Sequence, residues 1–131
     1  MLLRALLPPA WVPIALAWIE HESGGHLGAE GLERLDERGL FQVSADESRS
    51  YLGLTDAEHR ALSTDRLASL QAGADLMAIY ADDLVASEGI PERASSLPIL
   101  AKLMHGGGPR YTRDLLGVGR DAGANLASWG D

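Results

Sequence analysis

Residues 64–87 read TDRLASLQAGADLMAIYADDLVAS, and the spacing of the apolar residues in this stretch decides the fold class. Leu67, Leu70, Ala74, Met77, Ala81, Leu84 and Val85 recur at three- and four-residue steps, the period of one face of an α-helix. The pattern predicts a helix over 64–87, roughly 30 Å long at the usual rise per residue, enough to brace a domain. On its amino-terminal side, Thr55 with Glu58 three residues on is a capping-box pattern and predicts a short helix over 56–62. Further upstream, Trp11 to Glu22 reads as a helix with Pro13 tolerated in its first turn and Gly24-Gly25 as its stop. Between them lie a polar excursion over 28–38, an apolar knot at Leu40, Phe41 and Val43, and a polar stretch over 44–50. On the carboxyl side, Ser95 or Ser96 can cap a helix over 97–104 that stops at Gly106-Gly107-Gly108-Pro109. Short helical pieces over 111–116 and 121–129 finish the chain. No segment shows convincing strand alternation, so the reading is a single domain over 1–131 that is all-α, or α with minimal β.

Length and charge narrow the function. A chain of 131 residues has room for one core and little else. Its 11 basic residues against 19 acidic ones give a net charge of −8, which opposes general binding to nucleic acid or to an anionic membrane surface. With no cysteine there is neither a disulfide nor a thiolate nucleophile or ligand. The apolar run from Met1 to Ile19 is broken by Pro8, Pro9 and Pro13, whereas a membrane span needs roughly 20 uninterrupted residues. As a signal peptide it is short and lacks a small-x-small cleavage site before Trp11, so residues 1–10 read as a lead-in segment.

Three clusters can carry chemistry. Glu22 stands where an apolar helix runs into Ser23-Gly24-Gly25, and a carboxylate shielded by apolar neighbours can serve as a proton donor. Glu20, two residues away, faces another side of the helix. His21-Glu22 is not the start of a zinc motif, because position 25 is Gly25 and the next histidine, His26, stands five residues from His21. In the second cluster, Gly39 permits a tight turn, Phe41 offers a flat apolar face and Gln42 both donates and accepts, a set suited to an N-acetylated sugar. The third, from His105 through Gly106-Gly107-Gly108-Pro109-Arg110 to Tyr111, lacks the Lys-Ser/Thr of a phosphate-binding loop and reads as a loop closing over a cleft.

Taken in order, Ile19-Glu20-His21-Glu22-Ser23-Gly24, Gly39-Leu40-Phe41-Gln42-Val43, Gly73-Ala74 and Gly107-Gly108-Pro109 resemble the lysozyme-like lytic transglycosylase superfamily over roughly residues 11–116. That family shows a helix ending in Glu-Ser-Gly, then a Gly-Leu-Met-Gln segment, then a late Ala-Tyr-Asn-Ala-Gly-Pro-Gly turn. The resemblance implies a lysozyme-like fold, Glu22 as the catalytic acid, Ser23 as the adjacent active-site serine and Gln42 as a substrate contact. Phe41 stands where methionine is usual. His105 stands where the family has a tyrosine that orients the glutamate, and Gly106 where it has asparagine. His105, or Tyr111 folding back, is the substitute for that tyrosine.

The activity so implied is cleavage of the MurNAc–GlcNAc bond of peptidoglycan without water, giving a 1,6-anhydro product, with no cofactor and no metal. A muramidase of the goose type is the near alternative. It needs a second carboxylate, for which Asp36, Glu37, Asp46 and Glu47 are the candidates. A glycan-binding or structural module of a phage tail or secretion machine is the alternative outside catalysis. Because the wall is anionic, a chain of charge −8 gains nothing from long-range attraction, so delivery to periplasm or wall by a virion, a secretion apparatus or lysis is expected.

Overall fold

The computed structural model describes residues 2–31 and 33–121 of the chain. It is mostly helical, and among the described residues the only β pairing is an isolated antiparallel bridge between Arg38 and Val43. The chain divides into two compact units, Met1–Leu76 and Met77–Asp131.

The first unit opens with α1 (Leu2–Leu6), inside the stretch expected to be a lead-in segment. Leu3 and Leu7, four apart and so on one face, are both buried, and this packing makes the segment a helix of the core. A 3₁₀ turn, Pro9–Trp11, leads into α2 (Val12–Ser23), with a proline in its first turn as expected. Gly24 ends α2 in the left-handed conformation at φ 62°, donating its N–H to the Glu20 carbonyl. The polar excursion carries only a 3₁₀ turn, Glu33–Leu35. The polar stretch after the bridge is α3 (Ala45–Ser50), a helix the sequence reading did not assign. Ser44 and Glu47 close a full capping box at its start, and Glu47 and Ser48 are buried. A second capping box, Thr55 with Glu58, opens α4 (Asp56–Ala61).

The expected long helix is α5 (Arg66–Glu88). Its packed face starts at Leu70, since Leu67 is 56% exposed, and it also takes in Ala72, Leu76 and Tyr80. Within the first unit Gly73 gives α5 its contact: a Cβ there would overlap the Phe41 ring.

In the second unit, α6 (Leu97–Asp121) runs on through Gly106 and Gly107 rather than stopping there. It is interrupted at Gly108, whose φ of 84° and ψ of 163° belong to a region essentially confined to glycine. Pro109, which has no N–H to lose and a φ already helical, restarts the helix at once. The expected loop over 106–109 is therefore a kink between two helical stretches. Arg113, beyond the kink, holds Asp83 at 3.0 Å and Glu88 at 3.3 Å on α5. The helix expected over 121–129 lies outside the described residues.

Candidate functional site

The site in the first unit begins with Trp18. Its indole is buried on α2, donates from Nε1 to the Phe41 carbonyl at 3.2 Å, and meets the Phe41 ring edge-on at 5.5 Å. An edge-on aromatic pair is worth about 0.5–1.5 kcal/mol beyond the area it buries. Glu22 follows Trp18 by four residues, so it shares that face of α2 one turn on, where it is half-buried. Ser23, next to it, is buried and occupied locally. Its Oγ donates to the Ile19 carbonyl at 3.0 Å and accepts from the Gly25 N–H at 3.2 Å, closing the helix end.

The bridge between Arg38 and Val43 makes a tight turn of residues 39–42. Gly39 is left-handed at φ 80°, and a Cβ on it would run into Ser69 Oγ and the Leu62 carbonyl. That close approach lets Ser69 Oγ accept the Leu40 N–H at 2.8 Å, pinning the turn to α5. Phe41 is wholly buried between Trp18 and Gly73, so its ring serves the core and offers no face to a sugar.

Gln42 adopts φ 52°, a left-handed conformation costing roughly 1 kcal/mol in a residue with a Cβ. Its side chain offsets that cost, for Nε2 donates to the carbonyls of Ala29 and Gly39, each at 3.0 Å. Gln42 thus anchors the polar excursion to the turn. Its Oε1 lies against Gly31, where an added Cβ would stand 2.5 Å from that oxygen and 2.7 Å from Glu37 Cβ. Only a glycine lets the loop run this close to both side chains.

Glu37 completes the group, because its carboxylate and that of Glu22 have oxygens within 4.8 Å of each other. The other three acids singled out from the sequence have local tasks. Asp36 holds Arg38 Nε at 3.0 Å. Glu47 accepts the Ser44 N–H of the α3 capping box at 3.0 Å. Asp46 lies on the exposed side of α3, 3.5 Å from Ser50 Oγ. Beside Glu37 opens a cleft of about 480 Å³, lined by Gly28, Ala29, Gly31, Glu33 and Arg38 among others. It is polar and fits a hydrophilic ligand better than an apolar one.

The remaining two predicted residues belong to the second unit. His105 is half-buried on α6 ahead of the kink, and Tyr111, 55% exposed, lays its ring over Gly107. Sequence reasoning missed Trp18, Gly31 and Ser69 as parts of the first unit's site. The four-residue step from Trp18 to Glu22 was the one signal available for the first, while Gly31 and Ser69 act through contacts far apart in sequence. Compared with known proteins, the chain matches no protein-family model, and neither a curated protein nor a solved structure matches it.

Proposed function

We propose that the chain has a lysozyme-like fold and cleaves the glycan strand of peptidoglycan as a lytic transglycosylase, with Glu22 as the acid and then the base. What supports this reading is one observation: Glu22, Glu37 and Gln42, from separate stretches of sequence, come together in the first unit, and Glu37 among them lines a polar cleft. Glu22 gives its carboxyl proton to the glycosidic oxygen as the C1–O bond breaks. The 6-hydroxyl oxygen of the MurNAc residue then bonds to C1, and its proton passes to the Glu22 carboxylate, regenerating the acid. The nucleophile comes from the substrate, so water is not consumed. Glu37, close by, is placed to stabilise positive charge developing at C1. The remaining Gln42 acceptor, Oε1, is suited to a donor on the sugar. Delivery by a virion, a secretion apparatus or lysis belongs to the same reading. Among the described residues no helix is long and apolar enough to cross a membrane.

The Glu22–Glu37 distance also gives specific form to the hydrolytic alternative. Inverting glycosidases hold their carboxyl groups about 6.5–9.5 Å apart to admit a water, and retaining ones about 5–5.5 Å apart. With oxygens within 4.8 Å of each other, the two carboxylates are near enough to act as such a pair, and a hydrolase here uses Glu37 as its second carboxylate.

Digestion of purified peptidoglycan followed by mass analysis of the muropeptides tests both. Products lighter than hydrolytic ones by one water are expected, and Glu22→Gln lowers their rate by a factor of about 10²–10⁴, the usual contribution of a positioned acid–base group. Glu37→Gln leaves the anhydro product as the main one under the first reading and stops turnover under the second. If wild type and Glu22→Gln release equally little where a known muramidase is active, the assignment of Glu22 fails.

A further inference from the structure

A second cleft in the first unit, of about 280 Å³, is lined by Arg38, Arg49 and Arg60, with the buried Ser48 and His59 at its floor. Three guanidiniums in one small cleft stand out in a chain of 11 basic and 19 acidic residues. Arg49 projects from the last turn of α3 and Arg60 from the last turn of α4. Arg38 sits at the bridge, with Nε on Asp36 Oδ1 at 3.0 Å and a terminal nitrogen on Ser63 Oγ at 3.3 Å. Neither the Arg49 nor the Arg60 side chain makes a hydrogen bond or an ion pair among the described residues. Two carboxylates also line the cleft, Asp36 and Asp56, but Asp36 is taken up by Arg38 and by His59 Nε2 at 3.3 Å.

The floor holds the three arginines in place. His59 is 4% exposed and bonded at both ring nitrogens, with Nε2 2.7 Å from the Asp36 carbonyl and Nδ1 2.6 Å from Ser48 Oγ. A carbonyl only accepts, so Nε2 carries the hydrogen, and in the neutral ring Nδ1 accepts from the serine hydroxyl. One side chain thereby ties together α3, α4 and the turn before the bridge, the three elements that carry the arginines. Guanidiniums gathered without enough acids repel one another, and an oxyanion that accepts forked N–H donors relieves this.

We infer that this cleft is an anion-binding site for a phosphate or carboxylate group, separate from the Glu22 site and independent of the reading given to it. Inorganic phosphate and acetate, titrated separately at constant ionic strength set by sodium chloride, are the probes, read by amide chemical shifts in labelled full-length protein. At least one probe is expected to give saturable shifts centred on Ser48, Arg49, His59 and Arg60, and the tighter of the two identifies the group. The double variant Arg49→Gln, Arg60→Gln removes only exposed side chains, so its amide spectrum keeps the native dispersion. It binds roughly tenfold or more weakly, as expected when charge-assisted hydrogen bonds are lost. Lys102→Gln, in the second unit, leaves affinity unchanged. Shifts that do not saturate, shifts spread over charged residues generally, or equal affinity in the double variant would overturn the inference.

Discussion

Gly73 has no room for a side chain, and that single fact connects the long helix to the candidate site. The Phe41 ring occupies the space where its Cβ would be, and Phe41 in turn accepts the Trp18 indole N–H. Gly73→Ala must move the ring or the helix, and overpacking of this kind costs about 1–3 kcal/mol. Urea unfolding should show a midpoint lowered accordingly with an unchanged slope, whereas a wild-type midpoint would mean that the ring yields freely. In the sequence, Phe41 and Gln42 were legible as a turn beside the site, but their burial was not. The sequence offers Phe41 as a flat face for a sugar; it is instead a core residue, because its neighbours, Trp18 and Gly73, come from 23 residues before it and 32 after it. The Ser48–His59–Asp36 connection escaped the reading for the same reason, since no local pattern marks a histidine whose partners lie on other elements.

At the level of elements, local signals were legible where chemistry is local. The stop at Gly24 and the Thr55–Glu58 box are both read from adjacent residues and both form. Ser44 and Glu47 follow the same spacing, yet α3 escaped notice because its buried members, Glu47 and Ser48, are polar and leave no apolar period. In α6 the glycine run looks like a stop, but Gly106 and Gly107 continue the helix and only Gly108 breaks it. The α4 box makes a prediction of its own. Hydrogen bonds from the Thr55 backbone and hydroxyl hold the Glu58 carboxyl below its ordinary value of 4.5. A carboxyl lowered in this way stabilises the folded state above its ordinary value, and the effect is lost as pH falls through its folded value. Thermal unfolding of Glu58→Ala should therefore trail wild type most near neutral pH, with the gap closing in acid. A gap of constant size at all pH values would show that the charge is not responsible. Thr55→Ala removes the cap itself and should cost about 1 kcal/mol.

Across the molecule, charge and connectivity point in different directions. The net charge of −8 is a property of the whole chain, yet three arginines gather in one cleft of the first unit, a contrast that composition alone cannot reveal. All-α character was legible from periodicity, because a helical stripe is a local pattern. The candidate site is another matter: its members are named in the sequence, but how they come together is not, because long-range bonds hold them. Trp18 reaches 23 residues to Phe41, Arg38 reaches 25 to Ser63, and the Leu40 amide reaches 29 to Ser69. Each such closure must overcome the loop entropy of the chain between its ends. Hydrogen exchange offers the measurement: the Leu40 amide and the Trp18 indole should exchange only through global opening of the first unit, with the full denaturant dependence of unfolding. The amides in the first turns of α3 and α4 should exchange through local fraying. Exchange of Leu40 at the rate of those first turns would contradict this. The Leu40–Ser69 bond thus works as a clasp: it fastens the turn over 39–42, and with it the Gln42 anchor of the polar excursion, to α5, so the shape of the cleft beside Glu37 depends on a helix that begins 29 residues after Glu37.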